Sequence, residues 1–370
     1  MKMSRSGARA VEDRRRPARR EEPAGRGGDP RPRRPLGKRL FWGFYKVVAV
    51  ISALIVAGYA GFTLWVRPPA QTEHTPPGQT GQSQTGTGTG TGTGTEGDED
   101  ALVRREYVYN ILVAATDEEG YRTDTMIVVS YDVPNQKVGA VSVPRDTLVR
   151  RDSGSPKLVY GSGGVEQRVE DISNLLGVPI DYYVKVDING FVALVDYLGG
   201  VDFYVPCDMD YDDPIQGLSI HYEEGMQHLT GQQAMEVCRF RKNNPDENGH
   251  STGYSDVGRT QTQQNMLMAL ARKIISWNSI TRVNGFVEIF NDYVDTDLSL
   301  SDMLYFASQA ISVDLDGVEM FTLEGDGNTT YKGVSYCYAL DPQSTLEAVN
   351  RLINPYTREL TLEDMDIIQP

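Results

Sequence analysis

Cysteine and histidine are scarce, with three Cys and four His in 370 residues. Cys207, Cys238 and Cys337 show no zinc-ligand spacing, and no Cys–His pair suggests a nucleophile. An odd count leaves one thiol unpaired if a single disulfide forms, and three pairings are open. Cys238, among helix-forming residues beside two arginines, reads as an inert buried thiol. No internal repeat is present, which excludes a solenoid or propeller. Positive charge is scarce beyond the first 39 residues. Those residues hold fourteen Lys and Arg against five Asp and Glu, while the whole chain is at −15, so the remainder carries about −24. Such a surface repels nucleic acid, which is not expected as a partner. It admits a phosphate ligand only if basic side chains gather in one place.

Formal charge is missing altogether from Val47 to Val66. Twenty helical residues cover roughly 30 Å, the hydrocarbon thickness of a bilayer. Leu40 to Tyr45 extend the apolar stretch, and Lys46 can snorkel to the interface. Trp42, Phe44, Tyr45 and Trp65 stand where aromatic belts form. A cleaved signal peptide would have a shorter apolar region and a small-x-small site after it, which is not seen. The run therefore predicts one transmembrane helix. The basic tail predicts a cytoplasmic N-terminus with the rest of the chain outside the cell membrane. The tail has almost no apolar residues and reads as disordered, a topology determinant that can also attract anionic lipid.

Residues 68–100 are rich in Pro, Gln, Thr and Gly, with the repeat TGTGTGTGTGT and an acidic run from Glu96 to Asp100. They read as a flexible tether spanning roughly 30 Å. The expected organisation is a tail (1–39), a membrane helix (40–66), a linker (67–104), a globular domain (105–356) and a C-terminal tail (357–370). Within the domain, Val108–Thr116, Thr125–Tyr131, Lys137–Val143 and Val178–Val186 read as strands. Helices are expected over Val165–Leu176 (closed by Gly177), Asn189–Leu198, Gln232–Arg239 and Gln261–Trp277. This alternation predicts an α/β sandwich, a central mixed sheet flanked by helices.

The informative charges lie at element boundaries. Asp117 ends the first strand, and Arg122 and Asp124 precede the second. Two carboxylates at neighbouring strand ends can converge on one hard cation. Arg145 follows the third strand, with Pro144 fixing the backbone. Arg239 and Arg241 leave a helix end on the same side if the chain there is extended. A fourth segment runs from Gly253 through Asp256, Gly258 and Arg259 to Gln263 and Gln264. Each alone is an ordinary turn or solvated charge. Together they form the gathered basic site that the charge balance requires.

The order of these motifs carries a resemblance. Strand-T-Asp117 leads to Arg122-T-Asp124-T, then S-V-P-Arg145-D, then Lys157 ahead of Gly163-Gly164. The turn LGGVD (198–202), the stretch GMQHLTGQQA (225–234), Arg239-F-Arg241 and Asp256-V-G-Arg259 with Gln263-Gln264 follow. The chain resembles the LytR-CpsA-Psr family of cell-envelope proteins, closely over 105–275 and more loosely to about Tyr356. The resemblance implies an α/β fold that binds a polyprenyl-pyrophosphate-linked glycan. It also implies transfer of the phosphoglycosyl unit to a peptidoglycan hydroxyl, with release of polyprenyl phosphate. Arg122, Arg145, Lys157, Arg239, Arg241, Arg259 and Gln263 would grip the pyrophosphate. Asp117 and Asp124 would hold Mg²⁺, with Mn²⁺ as the alternative. Asp256 would orient arginines or act as a base. The lipid would need an apolar channel between helix and sheet.

Two departures remove positive charge from this set. Many relatives carry an arginine directly after the first aspartate, where Glu118 and Glu119 stand here, and a second arginine where this chain has Thr262. Two other activities remain open from sequence. One is a polyprenyl-pyrophosphate phosphatase with water as the acceptor, and the other is a non-enzymatic sensor reporting through the tail.

Overall fold

The computed structural model describes residues 66–74, 102–116, 123–151, 156–161, 163–215, 217–246, 248–253, 256–275 and 292–370, together with Ser52. For Asp124, Pro156, Lys157, Asp256 and Val257 only the backbone is described. The chain divides into two units, Met1–Gly61 and Phe62–Pro370. The first lies outside the described residues apart from Ser52, as does nearly all of the expected membrane run. No helix among the described residues is long and apolar enough to cross a membrane.

Strands β1 (Val108–Thr116), β2 (Thr123–Asp132) and β3 (Lys137–Ser142) form a meander. A short hairpin of β4 (Leu148–Arg150) and β5 (Pro156–Leu158) leads to α1 (Val165–Leu176), then β6 (Tyr182–Asp187) and α2 (Ile188–Tyr197). A peripheral group follows, built of β7 (Val201–Val205), β8 (Met209–Asp213), β9 (Leu218–Tyr222), β10 (Gly225–Leu229) and α3 (Gly231–Arg239). The chain then forms α4 (Asp256–Ile275), β11 (Val294–Thr296), α5 (Leu300–Ala310), β12 (Glu319–Thr322), the hairpin β13 (Gly325–Tyr331) and β14 (Val334–Leu340), and α6 (Pro342–Leu352). The central sheet has the order β11-β6-β1-β2-β3-β12. It is mixed: β6 is parallel to β1 and β12 to β3, while β2 runs against both its neighbours.

Local signals explain most boundaries. α1 ends at Gly177 with φ +67°, and a Cβ there would meet the carbonyl oxygen of Asp364 at 2.3 Å. α2 is capped by Asp187, which accepts from the Gly190 amide at 2.7 Å, and α3 carries a Thr230/Gln233 capping box. The strand expected from Val178 starts only at Tyr182, because Asp181 turns inward to accept from the Asn110 amide. α4 begins at Asp256 rather than Gln261, so Asp256 and Arg259 stand on its first turn. Gly258 had masked that helical start in the sequence.

The main core fills the space between the sheet and helices α1 and α6, with Leu112, Met126, Val128, Ile172, Leu176 and Val349 fully buried. An aromatic layer on the sheet's other face joins Tyr109, Tyr131 and Tyr305 to Phe306 of α5. A separate core unites α2, β7, β9, α3 and α4 through Val195, Phe203, Ile220, Val237 and Met266. Cys238 packs against that core, Cys207 lines it, and Cys337 is buried in a smaller cluster. All three thiols are free. Residues 357–370 do not trail off: Leu360, Met365 and Ile368 are buried, and Arg358 pairs with Asp364 at 3.0 Å.

The described start of the expected linker is not a free tether. Val66 is buried in the aromatic layer, and the strap that follows is fixed along its length. The hydroxyls of Tyr109 and Tyr182 donate to the carbonyls of Pro69 and Ala70 at 3.0 and 2.8 Å. The Gln71 amide donates to Arg105 and Val108 carbonyls, and the Thr72 amide donates to Asp181 at 2.7 Å. His74 meets the Ser173 hydroxyl at 3.2 Å. Leu102, the next described residue, packs on the main core. The described residues on either side of the low-complexity run are therefore both fixed to one domain. Asp181 is the hub, receiving Arg104 at 2.5 Å as well as the Thr72 and Asn110 amides. Asp181→Asn leaves the Arg104 charge without its carboxylate, so it should cost about 3 kcal/mol in chemical denaturation. Hydrogen exchange at the Thr72 and Asn110 amides should speed up in the same variant.

Candidate functional site

Because β1, β3, β6 and β12 point the same way, their C-terminal ends share one edge of the sheet with the start of β2. Thr116 pairs with Thr123 on one side and with Asp187 on the other, and Thr322 pairs with Ser142. Open α/β sheets place ligands at the carboxyl ends of their strands, and the sequence motifs fall here. Asp117 and Arg122 lie outside the described residues. They are the immediate continuations of Thr116 and the approach to Thr123. Asp124 is the second residue of β2, and Arg145 sits in the turn three residues after β3.

Helix α4 bridges this edge with two neighbouring amides. Gln263 donates to the carbonyl of Cys238 at 3.2 Å and accepts from the Thr125 hydroxyl at 3.3 Å. Gln264, buried, donates to the Thr322 hydroxyl at 2.9 Å. One side chain thus ties the residue after Asp124 to the residue before Arg239, from a helix that carries Asp256 and Arg259 one to two turns earlier. The next side chain ties that helix to the last residue of β12, beside the strand that leads to Arg145. Three of the four motif segments are joined directly, and the fourth through β12 and β3.

Arg239 is the last residue of α3, and Phe240 follows in extended conformation (φ −59°, ψ 135°) with its ring buried. That alternation leaves Arg239 half-buried and Arg241 exposed. Both act on Tyr211 of β8. Burial and Asp213 raise that phenol, and the positive charge of Arg241 and Arg239 pulls it back. The Arg145 guanidinium lies over the Tyr160 ring at 5.8 Å, and its Nε is 3.4 Å from Asp146. Lys157 pairs with Val149 in the β4–β5 hairpin, adjoining the Arg145 turn. Thr262, where relatives carry an arginine, is buried and donates to the Gly258 carbonyl at 3.0 Å. Burial pushes the Cys238 thiol up to about 12, which leaves it protonated and unreactive.

Among the described residues no cluster of three or more His, Cys, Asp or Glu could hold a metal ion. The two expected ligands fall outside that statement, since neither side chain is described. The hydroxyls of Thr116 and Thr123, each the residue before Asp117 or Asp124 in sequence, are buried and have no hydrogen-bond partner among the described residues. Orphaned hard oxygens at residues that adjoin two aspartates in sequence fit a magnesium-type cation.

Sequence reasoning passed over Thr125, Thr322, Tyr160 and Arg168. Only Arg168 left a signal: it is a charged residue on the apolar face of α1, in step with Val165, Ile172 and Leu175. A cavity of about 750 Å³ opens on the opposite edge of the sheet, lined by Arg105, Lys137 and Arg351 among others. Two of those cations already face carboxylates, Arg105 with Asp132 at 2.8 Å and Arg351 with Glu319 at 3.2 Å.

The mixed sheet flanked by helices is a fold shared with the proteins of one family. The LytR_cpsA_psr family matches residues 83–354, and the chain belongs to that family. It is 31% identical over 250 residues to the polyisoprenyl-teichoic acid–peptidoglycan teichoic acid transferase TagV of Bacillus subtilis. That match covers 65% of this chain and 61% of the relative, so the chain spans under two thirds of that relative's length. It is 30% identical over 239 residues to the corresponding transferase TagU of Bacillus anthracis, covering 63% of this chain and 74% of the relative. The crystal structure of Bacillus subtilis TagV superposes with a TM-score of 0.55 at 25% identity, over 66% of this chain and 95% of that one.

Thr322→Val should strand the buried Gln264 amide and lower stability by about 1–3 kcal/mol in chemical denaturation. Because the bond joins the middle of α4 to the end of β12, hydrogen exchange should rise there first and leave β1 and β2 unchanged.

Proposed function

We propose that this protein is a metal-assisted phosphotransferase that moves a glycopolymer from a polyprenyl-pyrophosphate carrier to a hydroxyl of peptidoglycan. The observation that carries the reading is the pair Gln263 and Gln264, which ties Thr125, the Cys238 carbonyl and Thr322 to α4, so that the segments bearing Arg145, Arg239, Arg241 and Arg259 adjoin the same end of the sheet. In a chain at −15, cations brought together there supply the field that a pyrophosphate needs. The two transferases to which the chain is similar are named for transfer of a polyisoprenyl-linked teichoic acid to peptidoglycan. Which polymer this protein carries is left to the contacts beyond the pyrophosphate.

The reaction forms a bond from the acceptor hydroxyl oxygen to the sugar-bearing phosphorus. It breaks the bond from that phosphorus to the bridging oxygen, which leaves with polyprenyl phosphate. Positioning and charge neutralisation account for most of the catalysis in such transfers. Arg145 and Arg239 present planar forks to phosphate oxygens, and Arg122, Lys157, Arg241 and Arg259 complete the neutralising set. Gln263 holds the arms of the site together through the Cys238 carbonyl and Thr125, and its amide borders the same space. Asp256, on the first turn of α4, receives the hydroxyl proton or orients Arg259. Asp117 and Asp124, next in sequence to Thr116 and Thr123 with their orphaned hydroxyls, would hold Mg²⁺. When bound, it would stabilise charge on the leaving phosphate.

The uncharged run 47–66 and the basic tail before it support a single span, with the N-terminus cytoplasmic and the catalytic domain outside the cell membrane. There a lipid-linked donor and a wall acceptor can both be reached. The strap begins at Val66, where that run ends, so the domain starts at once.

Arg145→Ala and Asp124→Ala should each lower conjugate formation roughly 10²- to 10³-fold when purified full-length protein meets lipid-linked donor and peptidoglycan oligosaccharide. Free sugar phosphate without conjugate would identify water as the acceptor instead. Unchanged attachment in both variants, with folding intact, would contradict the arginine site and favour a sensor.

A further inference from the structure

Behind the Arg145 turn lies a buried ionic cluster that the reaction does not touch. Arg168 of α1 is 5% exposed and Asp171 one turn later is 2% exposed. Arg151, just past β4, grips Asp171 with Nη2 at 2.7 Å and Nε at 3.1 and 3.2 Å from its two oxygens. Gln167 adds a further donor to Asp171 at 3.2 Å. Two arginines against one buried carboxylate leave a net positive charge in the protein interior, an arrangement that costs stability unless it is fully hydrogen-bonded. Burial lowers the Arg168 pKa, the neighbouring Arg151 charge lowers it further, and Asp171 pulls it back up.

Further donors of the two arginines go to the backbone of one loop. Arg168 donates to the carbonyls of Tyr160 and Gly163, each at 3.3 Å, and Arg151 donates to the carbonyl of Gly161 at 3.0 Å. Gly163 has φ +100°, and a Cβ there would collide with Gln167 at 2.7 Å, so the loop lies directly on α1. On its other side the loop meets the site. The Tyr160 amide donates to the Arg145 carbonyl at 3.1 Å, and the Tyr160 ring lies under the Arg145 guanidinium. The Asp146 carboxylate, 3.4 Å from the Arg145 Nε, competes for the same guanidinium.

We infer that Tyr160 and Arg168 are positioning residues for Arg145. Arg168 fixes the loop from within, and the Tyr160 ring holds the guanidinium toward the sheet edge against the pull of Asp146. The inference rests on the reading of Arg145 as a pyrophosphate ligand. It predicts that substrate grip depends on a residue with no charge and on a cation buried one layer beneath the site. A cation over an aromatic face is stabilised enough to decide between two seats for one guanidinium.

The test measures binding of geranylgeranyl pyrophosphate to the full-length protein in nanodiscs by calorimetry, alongside thermal unfolding of each variant. Tyr160→Leu should weaken binding about tenfold. Tyr160→Phe, which keeps both ring and amide, should stay within about twofold of the parent. Asp146→Asn added to Tyr160→Leu should recover most of the loss, because the competing carboxylate is gone. Arg168→Lys keeps the charge but cannot span two carbonyls as a fork, and it should weaken binding with a smaller change in stability than Arg168→Met. Arg145→Ala separates the two levels of the argument. If it leaves binding unchanged, Arg145 is no pyrophosphate ligand and the functional reading of that residue fails. If it weakens binding while Tyr160→Leu lowers only the unfolding temperature, or Asp146→Asn restores nothing, the positioning role is overturned.

Discussion

The structure depends on two neighbouring glutamines in the middle of α4. Arginines repel one another, and four of them do not stay together on one edge unless their backbones are held independently of their charges. Gln263 and Gln264 do this with neutral amides, which can donate and accept at once and offer no carboxylate for an arginine to fall onto. One reaches Thr125 and the end of α3, and the other reaches Thr322 at the end of β12. Glutamate in either place could accept but not donate, and it would draw the nearest guanidinium away from a substrate. The buried Thr262, next to this pair in sequence, fits the same logic, adding no charge where the helix meets the sheet.

The two edges of the central sheet are treated differently. At the N-terminal ends of β1 and β6 the charges are paired: Arg104 with the buried Asp181, and the half-exposed Arg105 with Asp132. The strap from Val66 to His74 lies there, held by tyrosine hydroxyls and by Asp181. That edge serves stability. At the opposite edge the hydrogen bonds organise backbones and leave charged heads near the surface, the condition for binding an anion by electrostatics rather than by shape alone. His74 and Leu102, the described residues on either side of the low-complexity run, are both attached to this domain.

Much of the fold was legible because its signals are local. Val108–Thr116 is a run of apolar residues between polar stops, and α1 ends on a glycine that its φ requires. The motif residues were legible as types at element boundaries, and the family resemblance ordered them. Three features were not readable. The strap is made of Pro, Ala, Gln and Thr, a composition that suits a tether equally well; tertiary hydrogen bonds decide it. The start of α4 was hidden by Gly258, whose low propensity the tertiary contacts of Gln263 and Gln264 override. The support of Arg145 by Tyr160 joins residues fifteen apart through a hairpin and a loop, and no spacing rule encodes it.

The central claim is that the motif arginines form one pyrophosphate site at the parallel strand ends. The most direct measurement is a crystal structure of the protein with a polyprenyl pyrophosphate bound. The account predicts both phosphates within hydrogen-bond distance of Arg145 and Arg239, with the prenyl chain leading inward between sheet and helices. Phosphates resting instead on Arg105, Lys137 and Arg351 in the cavity of the opposite edge would contradict it.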